Sequence, residues 1–230
     1  MNEGLLYALL TWMSPAWPVG AFSHSSGLEW AVEAGLVVDR ASAEAWLEDF
    51  IRQGGGWTDA VMFVCAFRAV EWSEPAALAE AAELSLALLT SHERRLESTA
   101  QGAAFRRIAR STAAIPALAL LDGIPDEELA YPIVVACLTA GHGAPLVWAL
   151  TAYLHGVVAN LSSAAQRLIP LGQTDGQRVI AALRERVAAV VARAVELEVQ
   201  DPFEALGAAA FVADIASMAH ETQYTRLFRT

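Results

Sequence analysis

Apolar residues recur along this chain at steps of three and four. Ile180, Leu183, Val187, Val190, Val191, Ala194 and Leu197 form one stripe, and Arg184, Glu185, Arg193 and Glu196 fall off it. That spacing predicts one helix through the segment. Leu78, Ala82, Leu84, Leu88 and Leu89 repeat the pattern, as do Trp46, Leu47, Phe50 and Ile51. No alternating β-branched run of useful length interrupts it. The breaks are short: Gly54-Gly55-Gly56, Asp122-Gly123-Ile124-Pro125, Gly141 to Pro145, and Pro170 to Gly172. The pattern predicts an all-α, bundle-like single domain of about ten packed helices with short loops. No linker marks a domain boundary, and no internal repeat is visible.

Helix starts carry recognisable chemistry. Asp201-Pro202-Phe203-Glu204 places an acid at the N-cap and proline at the first helical position. Thr174-Asp175-Gly176-Gln177 and Ser26-Gly27-Leu28-Glu29 have the spacing of capping boxes. Ser73-Glu74-Pro75 opens another helix.

From Leu129 to Gln166 there is no charged residue, a run long enough to cross a bilayer. Gly141-His142-Gly143-Ala144-Pro145 cuts it in two, and no arginine cluster flanks it. Two central helices, buried on all sides, account for it without a membrane.

Composition narrows the function. Hydrophobic residues make up 55% of the 230 and charged ones 18%, so part of the surface is not built for water. The net charge is −11 and the basic residues are scattered, which argues against nucleic acid and suits a basic protein partner. All fifteen basic residues are arginine. Without lysine there is no P-loop lysine, no Schiff base and no lysine general base, so any nucleotide chemistry belongs to a partner. Cys65 and Cys137, far apart in apolar surroundings, read as small hydrophobes. The opening MNEGLLYALL lacks a basic n-region, which points away from a signal peptide and toward the cytoplasm.

Four segments hold candidate chemistry. The loop Ser14 to Ser26 carries two prolines, Gly20, and then Ser23, His24, Ser25 and Ser26 just before a helix. Three readings fit: a rigid capping loop, a partner-binding loop beside exposed Trp17 and Phe22, or a Ser-His pair that lacks an orienting third group. The segment His92 to Arg110 holds Arg94-Arg95, Arg106-Arg107 and Arg110, partly on one helical face. They suit a solvated face, a grip on an acidic partner, or an arginine finger reaching a partner's phosphate site. Pro170 to Gln177 reads as a tight turn with Thr174 as a cap. The five histidines form no metal-ligand spacing; His92-Glu93 and His220-Glu221 are each a histidine beside an acid. The tail HETQYTRLFRT interleaves Tyr224, Leu227 and Phe228 with Arg226 and Arg229, residue types enriched in interfaces.

The runs SPAWPVGAFSHSSGLEWAVEAG (Ser14 to Gly35), HERRLESTAQGAAF around Gln101-Gly102, RLIPLGQTDGQRVI (Arg167 to Ile180) and the tail lie in the same order as in the urease accessory protein F family, UreF, which the chain resembles over nearly its whole length. Ser26 departs from the family's usual glutamine. The resemblance implies an all-helical cytoplasmic dimer that bridges accessory protein D (H in some systems) and the GTPase accessory protein G, and modulates nickel delivery into apo-urease. It implies no enzyme activity of its own, no stably bound cofactor, and nickel handled by the complex. Residues 1–222 are then the helical domain and 223–230 a partner-binding tail that orders on binding. The candidate partner contacts are Trp17, Phe22, Ser23, His24, Glu29, Arg94 and Gln101 in the body, and Gln223, Tyr224, Arg226, Leu227, Phe228 and Arg229 in the tail. The tail and the Phe22-Ser23-His24 loop are expected to dock on each other, with Arg226 donating to the loop. A different class also fits: a helical enzyme with a buried pocket holding His155 and Asn160.

Overall fold

The computed structural model describes residues 3–197, 206 and 209–230. The helix start expected at Asp201 lies outside the described residues. Among these the chain is helical, with no strand: α1 (Glu3–Trp12), α2 (Leu28–Glu33), α3 (Arg40–Gln53), α4 (Gly55–Glu71), α5 (Pro75–Ala87), α6 (His92–Thr112), α7 (Tyr131–Gly141), α8 (Leu146–Leu168), α9 (Gln173–Ala182), α10 (Arg184–Glu196) and α11 (Phe211–His220). The expected all-α fold is what the structure shows.

α4 is the hub. It packs on α3, α5, α7, α8 and α10, and nearly every residue from Gly56 to Phe67 is buried. α7 lies against it and is buried without a break from Pro132 to Thr139. The uncharged run thus divides as expected at Gly143 and Pro145, but its halves differ. Only α7 is buried all round. α8 buries one stripe, Leu150, Tyr153, Leu154, Val158 and Leu161, and leaves Val147, Trp148, Thr151 and His155 exposed. Among the described residues, α8 is the one helix long and apolar enough to cross a membrane.

Gly102 sets the approach of α6 to α7. A Cβ there would sit 2.2 Å from the Leu129 carbonyl oxygen. The chain therefore passes closer than any side chain allows.

Several local expectations are corrected. The single helix read from Ile180 to Leu197 turns at Leu183, which separates α9 from α10; the apolar stripe continues across the turn, so periodicity did not reveal it. α9 starts after Gly172 with no side-chain cap, and Thr174 lies inside it. α5 does open at Pro75. α3 has a capping box between Asp39 and Ser42, and α6 is capped by Ser91. The arginines of α6 split between faces. Arg94 and Arg106 point inward, while Arg95, Arg107 and Arg110 are exposed. Arg106 donates to the carbonyls of Leu121 (2.9 Å) and Ile124 (2.7 Å) and pairs with Asp126, so it fastens the loop before α7.

Candidate functional site

The loop that follows α1 ends in two successive left-handed residues, Ser26 (φ 53°) and Gly27 (φ 84°). A serine in that region is held by its surroundings rather than by preference. Its hydroxyl donates to Glu97 (3.0 Å) and accepts from Arg94 Nη1 (2.8 Å). Gly27 faces the backbone of α11, where a Cβ would come 2.7 Å from the Ser217 nitrogen. The expected capping box of Ser26 and Glu29 therefore does not form. Both side chains are committed elsewhere.

The Glu29 carboxylate, buried at the start of α2, accepts from the backbone nitrogens of Leu227 (2.6 Å) and Phe228 (2.9 Å). His220, fully buried at the end of α11, places Nε2 2.9 Å from Glu29 and Nδ1 2.6 Å from Glu93. Arg226 Nη1 donates to the other Glu93 oxygen at 3.0 Å. Two carboxylates on one imidazole need two protons on that axis: either the ring carries both, or a carboxyl carries one. The two His-Glu dipeptides thus do meet, crosswise. His220 binds Glu93, and Glu221 accepts from the His92 nitrogen at 3.0 Å. Among the described residues no group of three or more His, Cys, Asp or Glu is placed to hold a metal.

The tail runs on along the loop. The Arg229 nitrogen donates to the Ser23 carbonyl (2.8 Å), and the Ser25 nitrogen donates to the Thr230 carbonyl (2.7 Å). His24 Nδ1 lies 2.7 Å from the Thr230 hydroxyl. Burial lowers the His24 pKa from its ordinary value, opposed by Glu97 and assisted by Arg229 and Arg94. The Phe228 ring closes a small second core of Leu28, Ala31, Val37, Ala164, Ile169 and Ala216. Arg167 lies 4.3 Å over that ring and donates to the Phe22 carbonyl at 2.7 Å. The expected docking of tail and loop is present, but Arg226 reaches Glu93 rather than the loop. The tail is seated in this structure, not loose as expected.

Seating the tail leaves apolar side chains in solvent. Tyr224 is fully exposed and Leu227 and Phe22 mostly so. Trp17, expected beside Phe22 on the surface, is half-buried against Phe105, with ring centroids 5.7 Å apart. Its indole nitrogen is buried with no acceptor among the described residues. Gln223 donates to Glu33 (2.5 Å) and so ties the tail to α2.

Beneath the loop lies a cavity of about 280 Å³. Trp17, Ser26, Arg94 and Gln101 line it, together with Asp59, Glu97 and Asn160. Arg94 pairs with Glu97 at 2.7 Å, and Tyr153 donates its hydroxyl to Asp59 Oδ2 at 2.8 Å. Burial pushes the Asp59 carboxyl up to about 6 against the pull of Arg94. His155 is exposed on α8, outside the cavity lining, so it does not share a pocket with Asn160.

The structure therefore groups Ser23, His24, Glu29, Arg226, Leu227, Phe228 and Arg229 in one clasp, and Trp17, Phe22, Arg94 and Gln101 around the adjoining cavity. Glu93, His220, Arg167, Asp59 and Tyr153 escaped sequence reasoning as site members. Only the paired His-Glu dipeptides carried a signal.

Fold and clasp define an all-helical protein that fastens its own C-terminal tail to a loop and shows aromatic side chains beside the joint. The UreF family model matches residues 37–184, between that loop and that tail. Relatives named urease accessory protein UreF cover both ends. The one from Rhodopseudomonas palustris strain HaA2 is 52% identical over 225 residues, 98% of this chain and 93% of its own. That of Bradyrhizobium diazoefficiens is 50% identical over 98% of this chain and 91% of its own. A third, from Bradyrhizobium sp. strain BTAi1, is 51% identical over 100% and 94%. The chain belongs to the UreF family.

Proposed function

We propose that this chain serves urease maturation as a non-enzymatic bridging protein in the cytoplasm. It binds accessory protein D/H through its tail and the GTPase accessory protein G through its body as a homodimer, and it modulates GTP-dependent delivery of nickel, the complex's cargo, into apo-urease. The relatives' shared name supports the pathway. The observation that carries the bridging role is the clasp: the buried Glu29 carboxylate holds the tail backbone while Tyr224, Leu227 and Phe22 face solvent. A protein that orders a terminus at such cost and leaves large apolar groups outside is arranged for a partner. The lack of lysine leaves P-loop chemistry to protein G.

The test is a pull-down with tagged protein D and tagged protein G. It compares the full chain, the chain without 223–230, and the surface double variant Tyr224→Ala/Leu227→Ala, each checked by circular dichroism. Both altered chains should keep their helicity and lose protein D. Retention of protein D by both, or a full chain that binds neither protein, contradicts the proposal.

A further inference from the structure

We propose that the cavity under the Pro15–Phe22 loop binds a small organic cation, an ammonium or guanidinium on a short apolar body, with its charge at the Asp59 carboxylate. The inference does not rest on the accessory role.

Asp59 projects from α4 and is over nine-tenths buried. Among the described residues the Tyr153 hydroxyl is its one hydrogen-bond donor, and it reaches only Oδ2. The second oxygen has no donor, yet the residue lines the cavity. That oxygen is open to the cavity and can accept from whatever fills it, a water or a ligand's donor. The charged and titratable groups facing it are Tyr153 of α8, Tyr131 of α7, and Arg94 and Glu97 of α6. Among the described residues Arg94 makes no ion pair with Asp59; its Nη1 goes to Glu97 and Ser26, and it acts on Asp59 through space. Two carboxylates against one guanidinium leave the floor negative once Asp59 is ionised, which repels an anion and rewards a cation. The walls include Trp12, Trp17, Tyr131 and Tyr153. Such faces attract organic cations within about 6 Å of a ring centre. The volume, about 280 Å³, lies at the small end of the ~300–1,000 Å³ range of ligand sites. Trp17 and Phe22 belong to the loop that roofs the cavity and also line it.

The experiment titrates the full chain with n-butylammonium, and with n-butanol and butyrate as neutral and anionic shapes, by calorimetry or ligand-observed NMR. Butylammonium should bind about tenfold or more tighter than butanol. The preference should disappear in Asp59→Asn, and in the wild type as pH falls through about 6, where Asp59 takes up its proton. Nα-acetyl-lysine methylamide separates the sources. Its tighter binding assigns the cation to a side chain of a docked protein, and tighter butylammonium binding assigns a free ligand. Equal affinity for butylammonium and butanol, an affinity untouched in Asp59→Asn, or no binding of either overturns the site. The wild-type comparison stands even where the variant fails to fold.

Discussion

Two buried acidic centres lie on either side of the same loop, and they are finished to different degrees. In the clasp, the Glu29 and Glu93 carboxylates each meet more than one hydrogen-bonding partner: two backbone nitrogens and one ring nitrogen of His220 for Glu29, the other ring nitrogen and Arg226 for Glu93. In the cavity, Asp59 has one donor and an open side. A buried acid whose acceptors are all used acts as a fastener. A buried acid with an acceptor left over is strained toward its neutral form, and its folded pKa near 6 records that strain. The clasp should therefore lose stability when its acid is removed, and the cavity should gain it.

The largest effect is expected from Glu29→Ala. It removes the acceptor of two tail nitrogens and one partner of a fully buried histidine. Breaking such a network costs on the order of 3 kcal/mol. Denaturant melts should show that loss, with amide exchange accelerated most in the tail and α11.

Asp59→Asn should move the other way. The folded pKa lies above the unfolded value of 3.8, so wild-type stability is full below about pH 4 and falls as pH rises through about 6. The asparagine chain lacks that slope. It should be more stable by about 3 kcal/mol at pH 8 and no more stable at pH 3.5. Urea melts at the two pH values check this. A variant that is less stable at pH 8 would erase the contrast between the two acids.

Smaller effects sharpen the picture. Arg226 is partly exposed beside Glu93, so Arg226→Ala should cost under about 1 kcal/mol and leave the tail seated. Tyr224 touches only solvent, so Tyr224→Ala should leave the melting curve unchanged and weaken only partner capture.

The helices and their breaks were legible because burial imposes a period and Gly and Pro punctuate it. What escaped the sequence was made by distant pairs. Ser26 looked like a cap because its hydroxyl precedes a helix, but Glu97 and Arg94, about seventy residues on, claim it. Arg94 and Arg95 read as one basic cluster, yet a helix turns neighbours about 100° apart, and one is buried while the other is not. The turn at Leu183 is invisible to periodicity because the buried residue belongs to both helices. The tail was recognisable as unusual from its aromatics, whereas the role of its anchors was not: Glu29 read as half of a capping box and as a partner contact, and Glu93 as an acid beside His92.

The central claim is that buried carboxylates seat the tail in the free chain. Residue-resolved hydrogen exchange of the full-length protein tests it most directly, at the amides of Leu227, Phe228 and Arg229. The account predicts strong protection at all three, lost at Leu227 and Phe228 in Glu29→Ala while α4 and α7 stay protected. Exchange at unprotected rates in the wild-type tail would contradict it.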